Sequence, residues 1–178
     1  IKKVGSNTMI CKRFFLIFIF SFSINFSFGE INFFEIKPET ILYKSIDSID
    51  LNLYVYRPEN FDTSKIYNSI VFFHGGAWNT QNIKQFQRQS IYFASRGMIA
   101  FIVEYRVTSI HDSTPFQSVE DAKSAIRYIR SNSKYLSLNP EKIAVSGGSA
   151  GGHLAAASAN ISKYDNTDED LNISSKPN

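Results

Sequence analysis

The chain has 178 residues, 43% hydrophobic and 15% aromatic, with 19 Lys and Arg against 16 Asp and Glu. The net charge of +3 comes with no basic stripe, so nucleic acid is not a natural partner. A single cysteine, Cys11, excludes a disulfide framework and a thiolate metal site; no His, Cys, Asp and Glu cluster has metal-ligand spacing and no glycine loop with a following Lys cradles phosphate, so no cofactor is expected.

Met9 reads as a start, and residues 9–29 read as a signal peptide. Lys12 and Arg13 form a basic region, and Phe14 to Phe20 begins an apolar one. Ser27-Phe28-Gly29 supplies small residues where a signal peptidase cuts, which predicts cleavage between Gly29 and Glu30. The alternative is an uncleaved anchor. Ser21, Ser23 and Asn25 interrupt the apolar run, however, and a spanning helix needs roughly 18 or more apolar residues. Four basic residues, Lys2, Lys3, Lys12 and Arg13, precede that cut and every acidic residue follows it, so the mature part is one charge to the acidic side of neutral. The expected location is secreted or periplasmic, with membrane contact only through the signal segment. Export without disulfides suits either compartment.

Residues 30–178 are expected to be the N-terminal part of a single α/β domain. Glu39 to Pro58 alternates in part, and Leu51 to Tyr56 has the period of a half-buried strand, which predicts an antiparallel hairpin. Ser69 to Phe73 is a continuous β-branched and aromatic run, hence a buried strand. It ends in His74-Gly75-Gly76-Ala77-Trp78. A helix is predicted from about Ile83 to Arg96, closed by Gly97. Met98 to Tyr105 reads as a strand and Val107 to Pro115 as a loop. Phe116 to Asn132 carries Val119, Ala122, Ile126 and Ile129 at helical spacing. Lys142 to Ser146 is a further buried strand, and His153 to Ala159 an Ala-rich helix. Alternation of this kind predicts a mainly parallel sheet with helices on both faces, with its active site beyond the carboxyl ends of the strands.

Between that last strand and helix lies Gly147-Gly148-Ser149-Ala150-Gly151, a match to G-x-S-x-G. A serine on a sharp strand-to-helix turn is a nucleophile elbow. Ser149 is therefore the candidate nucleophile. A turn after a buried strand that carries two glycines can aim backbone N–H groups at a developing negative charge. The candidate oxyanion donors are Gly75 and Gly76, with Ala77 a further option, completed by Ala150.

These paired motifs resemble the α/β-hydrolase superfamily, and within it the branch of hormone-sensitive-lipase-like and bacterial acetyl-xylan and feruloyl esterase-like enzymes. Val103-Glu104-Tyr105-Arg106, Asp121-Ala122-Lys123, Ala125-Ile126-Arg127-Tyr128 and Asn139-Pro140-Glu141-Lys142-Ile143 fit the same pattern. The resemblance covers roughly residues 41 to 161. It implies a serine esterase acting on short-chain acyl or carbohydrate-linked carboxylic esters through an acyl-enzyme, with a small-molecule or polysaccharide ester as substrate. Within the same fold, a serine peptidase or an arylformamidase is the alternative. A non-catalytic, hydrolase-like binding module is the reading outside enzymology.

A serine nucleophile needs a base and an orienting carboxylate, which follow it in this fold in the order Ser, acid, His. His74 and His111 precede Ser149. His153 follows it by four residues with no acid between, and the resemblance makes that helix position structural. His74 is expected to orient its loop, Trp78 to pack beneath it, and His111-Asp112 to lie in a surface loop. Arg106 and Asp121 are expected to form a buried structural pair, and Asp165, Asp168, Glu169 and Asp170 a solvated loop. The triad acid and histidine, and the closing strands of the sheet, are therefore expected in a longer reading frame. A single α/β domain commonly needs roughly 200–250 residues, on the order of 100 more than follow the predicted cleavage site.

Overall fold

The computed structural model describes residues 36–178. The predicted signal peptide lies outside the described residues, and among them no helix is long and apolar enough to cross a membrane. Among the described residues, five strands form one sheet in the order β1-β2-β4-β3-β5. β1 (Glu39–Ile46) and β2 (Ile49–Tyr56) are the expected hairpin. β2 also runs antiparallel to β4 (Ile99–Val103), whereas β4, β3 (Tyr67–Phe73) and β5 (Leu138–Gly147) are parallel.

The continuous apolar runs arise because both faces of the sheet are covered. Side chains alternate across a strand. Val71 and Phe73 of β3, with Phe101 and Val103 of β4, therefore pack in one core, while Ile70, Phe72, Ala100 and Ile102 pack in the other. The first core is closed by α3 (Pro115–Ser131) through Val119, Ala122, Ile126 and Ile129, and by α5 (Ala150–Asn160) through Leu154 and Ala157. α1 (Gln87–Ser95) closes the second with Ile91 and Ala94. Each fully buried large side chain of this kind contributes about 1.5–3 kcal/mol. α3 starts sharply because Pro115 opens it and Thr114 and Gln117 form a capping box.

Several boundaries differ from expectation: β5 begins at Leu138 and not Lys142, α5 at Ala150 and not His153, and β4 ends at Val103 and not Tyr105. α1 begins at Gln87, not near Ile83, because residues 82–85 make a turn closed by Gln85 N–H to Asn82 O at 3.1 Å. Phe86 then stacks on Phe72 at 5.1 Å and holds that turn to the sheet. The expected loop at 107–115 contains a single helical turn, α2 (Thr108–His111), in which His111 Nδ1 accepts the Val107 N–H at 3.1 Å.

The acidic stretch is a correction in part. Asp168 and Asp170 are exposed, as a solvated loop requires. Asp165 instead pairs with Lys123 and Arg127, and Glu169 pairs with Arg127. Lys123 is only 2% exposed and also donates to the Ile161 and Lys163 carbonyls. The spacing along α3 hides this, since Lys123 and Arg127 lie on a buried flank that the chain after α5 folds over. α4 (Ser133–Leu136) is a short turn leading into β5.

Candidate active site

The register between β3 and β5 creates the site. Phe73 pairs with Gly147, so the His74 loop and the Ser149 turn leave the sheet side by side. Gly151, in the first turn of α5, sits against the end of β3: a Cβ there would lie 2.0 Å from the Phe73 carbonyl oxygen. No other residue fits without moving backbone.

Ser149 adopts φ 52° and ψ −119°, a conformation that non-glycine residues avoid. Strain of this kind persists only where surrounding contacts impose it. Here Gly151 N–H donates to Gly148 O at 2.9 Å and His153 N–H to Ser149 O at 3.1 Å, which closes the first turn of α5 around it. Its side chain is exposed.

The facing loop is also strained. Gly76 (φ 130°), Ala77 (φ 53°) and Trp78 (φ 56°) have positive φ in succession. A Cβ on Gly76 would lie 2.3 Å from Thr80 O. The Gly76 carbonyl accepts from Asn79 and Thr80 N–H, both at 2.9 Å, and the Trp78 carbonyl accepts from Thr108 N–H at 2.9 Å. These bonds hold the turn from both ends.

The candidate donors separate. The N–H groups of Gly76, Ala77 and Ala150 have no hydrogen-bond partner among the described residues. The N–H of Gly75, expected among the donors, goes instead to Gln85 Oε1 at 2.5 Å. The N-terminus of α5 adds the positive end of a helix dipole on the same side as Ala150.

His74 is fully buried and stacked on Tyr105, with ring centroids 4.2 Å apart. The Gly75 carbonyl, 2.7 Å from Nδ1, can only accept, so Nδ1 carries the hydrogen. Tyr105 Oη donates to the His74 carbonyl at 2.6 Å. Burial pushes the His74 pKa down, against the opposing effects of the Gly75 hydrogen bond and the Glu104 charge. A neutral ring that braces its own loop is the result. Trp78 packs edge-on against His153 at 5.2 Å and against the core.

Beside the loop, Glu104 was seen in the sequence only as part of a pattern. Its Oε2 accepts from Asn52 N–H at 3.2 Å, Asn52 Nδ2 at 2.9 Å and Tyr54 Oη at 3.4 Å, and its Oε1 accepts from Gln81 Nε2. It ties the segment after Trp78 to β2. Arg106 forms the expected pair: its Nε and Nη2 reach the two oxygens of the fully buried Asp121 carboxylate, each at 2.8 Å. Lys44 joins from β1, 2.8 Å from Asp121 Oδ1 and 2.7 Å from Glu120 Oε1. Among the described residues no cluster of His, Cys, Asp and Glu could hold a metal ion.

A family model, BD-FAE, matches residues 53–178. The chain belongs to the BD-FAE family. The fold is that of the α/β hydrolases. Esterase 2 of Thermogutta terrifontis, in its apo form, superposes with a TM-score of 0.78 at 44% identity, covering 80% of this chain and 53% of that one. The same enzyme phosphorylated by paraoxon matches equally well at 43% identity, covering 80% and 55%. The carboxylesterase NlhH of Mycobacterium tuberculosis is 26% identical over 72% of this chain and 39% of its own length. An acetylxylan esterase of Xylanibacter ruminicola is 29% identical over 54% of this chain and 20% of its own length. This BD-FAE chain thus spans about half the length of the solved esterase and less of the curated relatives.

Proposed function

We propose that the protein carrying this chain is a serine hydrolase of carboxylic esters, with Ser149 as nucleophile. The observation that carries the reading is the pairing of a strained, exposed Ser149 with unpartnered N–H groups on two sides, Ala150 at the start of α5 and Gly76 and Ala77 on the loop. Ser149 Oγ attacks the ester carbonyl carbon as a base removes its proton. The carbonyl oxygen becomes an oxyanion and is held by Gly76, Ala77 and Ala150. Collapse expels the alcohol and leaves an acyl-enzyme, which water hydrolyses by the same route. The Gly75 N–H, already bonded to Gln85, is not counted in this donor set.

None of His74, His111 or His153 suits the base. His74 is buried and bonded to its own loop, His111 caps α2, and His153 lies on α5 against Trp78. The base and its carboxylate therefore belong, in this reading, to the length of the relatives that this chain does not span. The substrate class is short-chain acyl or carbohydrate-linked esters. The acetylxylan esterase and carboxylesterase among the relatives support it. Export to the periplasm or exterior, through residues 9–29, belongs to the same proposal and suits a polysaccharide ester.

The test uses the full-length protein. Hydrolysis of p-nitrophenyl acetate, lost by on the order of ten-thousandfold or more in Ser149→Ala, is the expected result. Paraoxon should add a phosphoryl group at Ser149, read by mass spectrometry of the modified peptide. Equal hydrolysis by Ser149→Ala would reject the assignment.

A further inference from the structure

Gly75 and Gly148 lie on different walls of the site, one on the loop after β3 and one on the turn before Ser149. The side chain of Gln85 bonds the first and lies close to the second. Its Oε1 accepts the Gly75 N–H at 2.5 Å. Its Nε2 lies 3.6 Å from where a Cβ of Gly148 would stand, and a Cβ on Gly75 would meet Gly148 O at 3.0 Å. Because an N–H can only donate, the Gly75 amide decides which end of the Gln85 carboxamide is oxygen, and the NH2 end must then face the Gly148 side. Gln85 is itself held, by the 82–85 turn and by Phe86 stacked on Phe72.

We propose that Gln85 is a positioning residue, whose carboxamide clamps the His74–Trp78 loop against the Ser149 turn and so sets the aim of the Gly76 and Ala77 N–H groups. The inference rests on the reading of Ser149 as nucleophile. The Gly75 carbonyl, in the same peptide as the Gly76 N–H, is held by His74 Nδ1, and Gln85 holds the amide on the other side of Gly75, whose φ and ψ no Cβ restricts. The next three residues hold positive φ, a conformation that survives only when outside contacts impose it. Gln85 supplies such a contact, and it is an exposed residue that belongs to neither core. Removing it takes nothing from either core, so its loss should show in the reaction and not in folding.

The experiment compares the full-length protein with its Gln85→Ala and Gln85→Met variants. Two readouts separate positioning from general damage. The first is kcat and KM for p-nitrophenyl acetate. The second is the ratio of inactivation rates by paraoxon and by its thiono counterpart, in which sulfur replaces the phosphoryl oxygen. Sulfur is a weak acceptor, so the thiono compound gains little from well-aimed N–H groups. Both variants should lose about ten- to a hundredfold in kcat, the scale of a misplaced oxyanion donor. KM and the thermal midpoint should hold, and the oxo-to-thiono ratio should fall with kcat. Wild-type kcat in both variants would overturn the role of Gln85, as would a loss of kcat with the ratio unchanged. An unmutated protein inert to both the ester and paraoxon would instead overturn the esterase reading beneath it.

Discussion

Gly151 and Phe73 are in backbone contact: the space for a Gly151 side chain is occupied by the Phe73 carbonyl oxygen, 2.0 Å from the Cβ position. That contact sets how close α5 comes to β3, and hence how close the Ala150 N–H comes to the His74 loop. Gly151→Ala should therefore force the helix away from the strand. A loss of about 1–3 kcal/mol in stability, the usual cost of overpacking, is expected with a fall in kcat. Gly97→Ala is the contrast. Gly97 has φ 82° but nothing within 4 Å of its Cβ position, so the backbone term alone, about 1–2 kcal/mol, applies and kcat should not change. Denaturant unfolding and steady-state kinetics on both variants check the pair.

Asp121 neutralises two cations in the interior, Lys44 and Arg106, and each is nearly as buried as the carboxylate. Asp121→Asn keeps the shape and removes the charge. Stranding buried cations in this way should cost about 3–5 kcal/mol, read as a lower urea midpoint. A variant as stable as the parent would show that Glu120 alone carries Lys44 and Arg106.

His74 provides a pH test of stability. Its folded pKa lies below the ordinary histidine value because burial disfavours the charged ring. The unfolded chain thus binds a proton first as pH falls. Stability is complete above about pH 6.5 and declines as pH drops from there toward the depressed folded value. His74→Phe, which keeps a ring to stack on Tyr105, should lack this decline while losing the Nδ1 bond to Gly75. Thermal midpoints between pH 7.5 and 5 would separate the two, and matching slopes would mean that His74 is not the group responsible.

Asp165 acts at lower pH. Burial alone would raise its pKa, but hydrogen bonds and charges from Lys123 and Arg127 outweigh that and bring it below the usual carboxylate value. Its contribution is present above the ordinary Asp range and is lost as pH falls through the depressed value. Asp165→Asn should cost about 1–3 kcal/mol at neutral pH, toward the low end because Lys123 keeps the Ile161 and Lys163 carbonyls. The difference from the parent should shrink in acid, which acid titration of both proteins by circular dichroism would show.

Ser149, the loop glycines and the strands leading to them were legible in the sequence. Each is announced by neighbouring residues: a buried apolar run, then small residues that tolerate a strained turn. The α3 face of Val119, Ala122, Ile126 and Ile129 was legible for the same reason, as a helical period. Gln85, Gln81 and Glu104 were not. They are polar residues without periodicity, and their partners Gly75, Asn52 and Tyr54 lie elsewhere in the chain. The burial of Lys123 was not legible either, because the carboxylate of Asp165 that neutralises it arrives only when the chain after α5 folds back.

The sequence by itself determined the hairpin, the buried strands, the helices and a serine on a tight turn, since φ and ψ preferences and hydrophobic period act over a few residues. Only the tertiary structure decided that Phe73 stands beside Gly147, that Gly75 gives its N–H to Gln85 while Gly76, Ala77 and Ala150 keep theirs, and that α1 starts after Phe86. Those outcomes depend on strand register and on polar groups that find partners across the fold, and desolvation in the packed molecule selects among partners that local preference cannot rank.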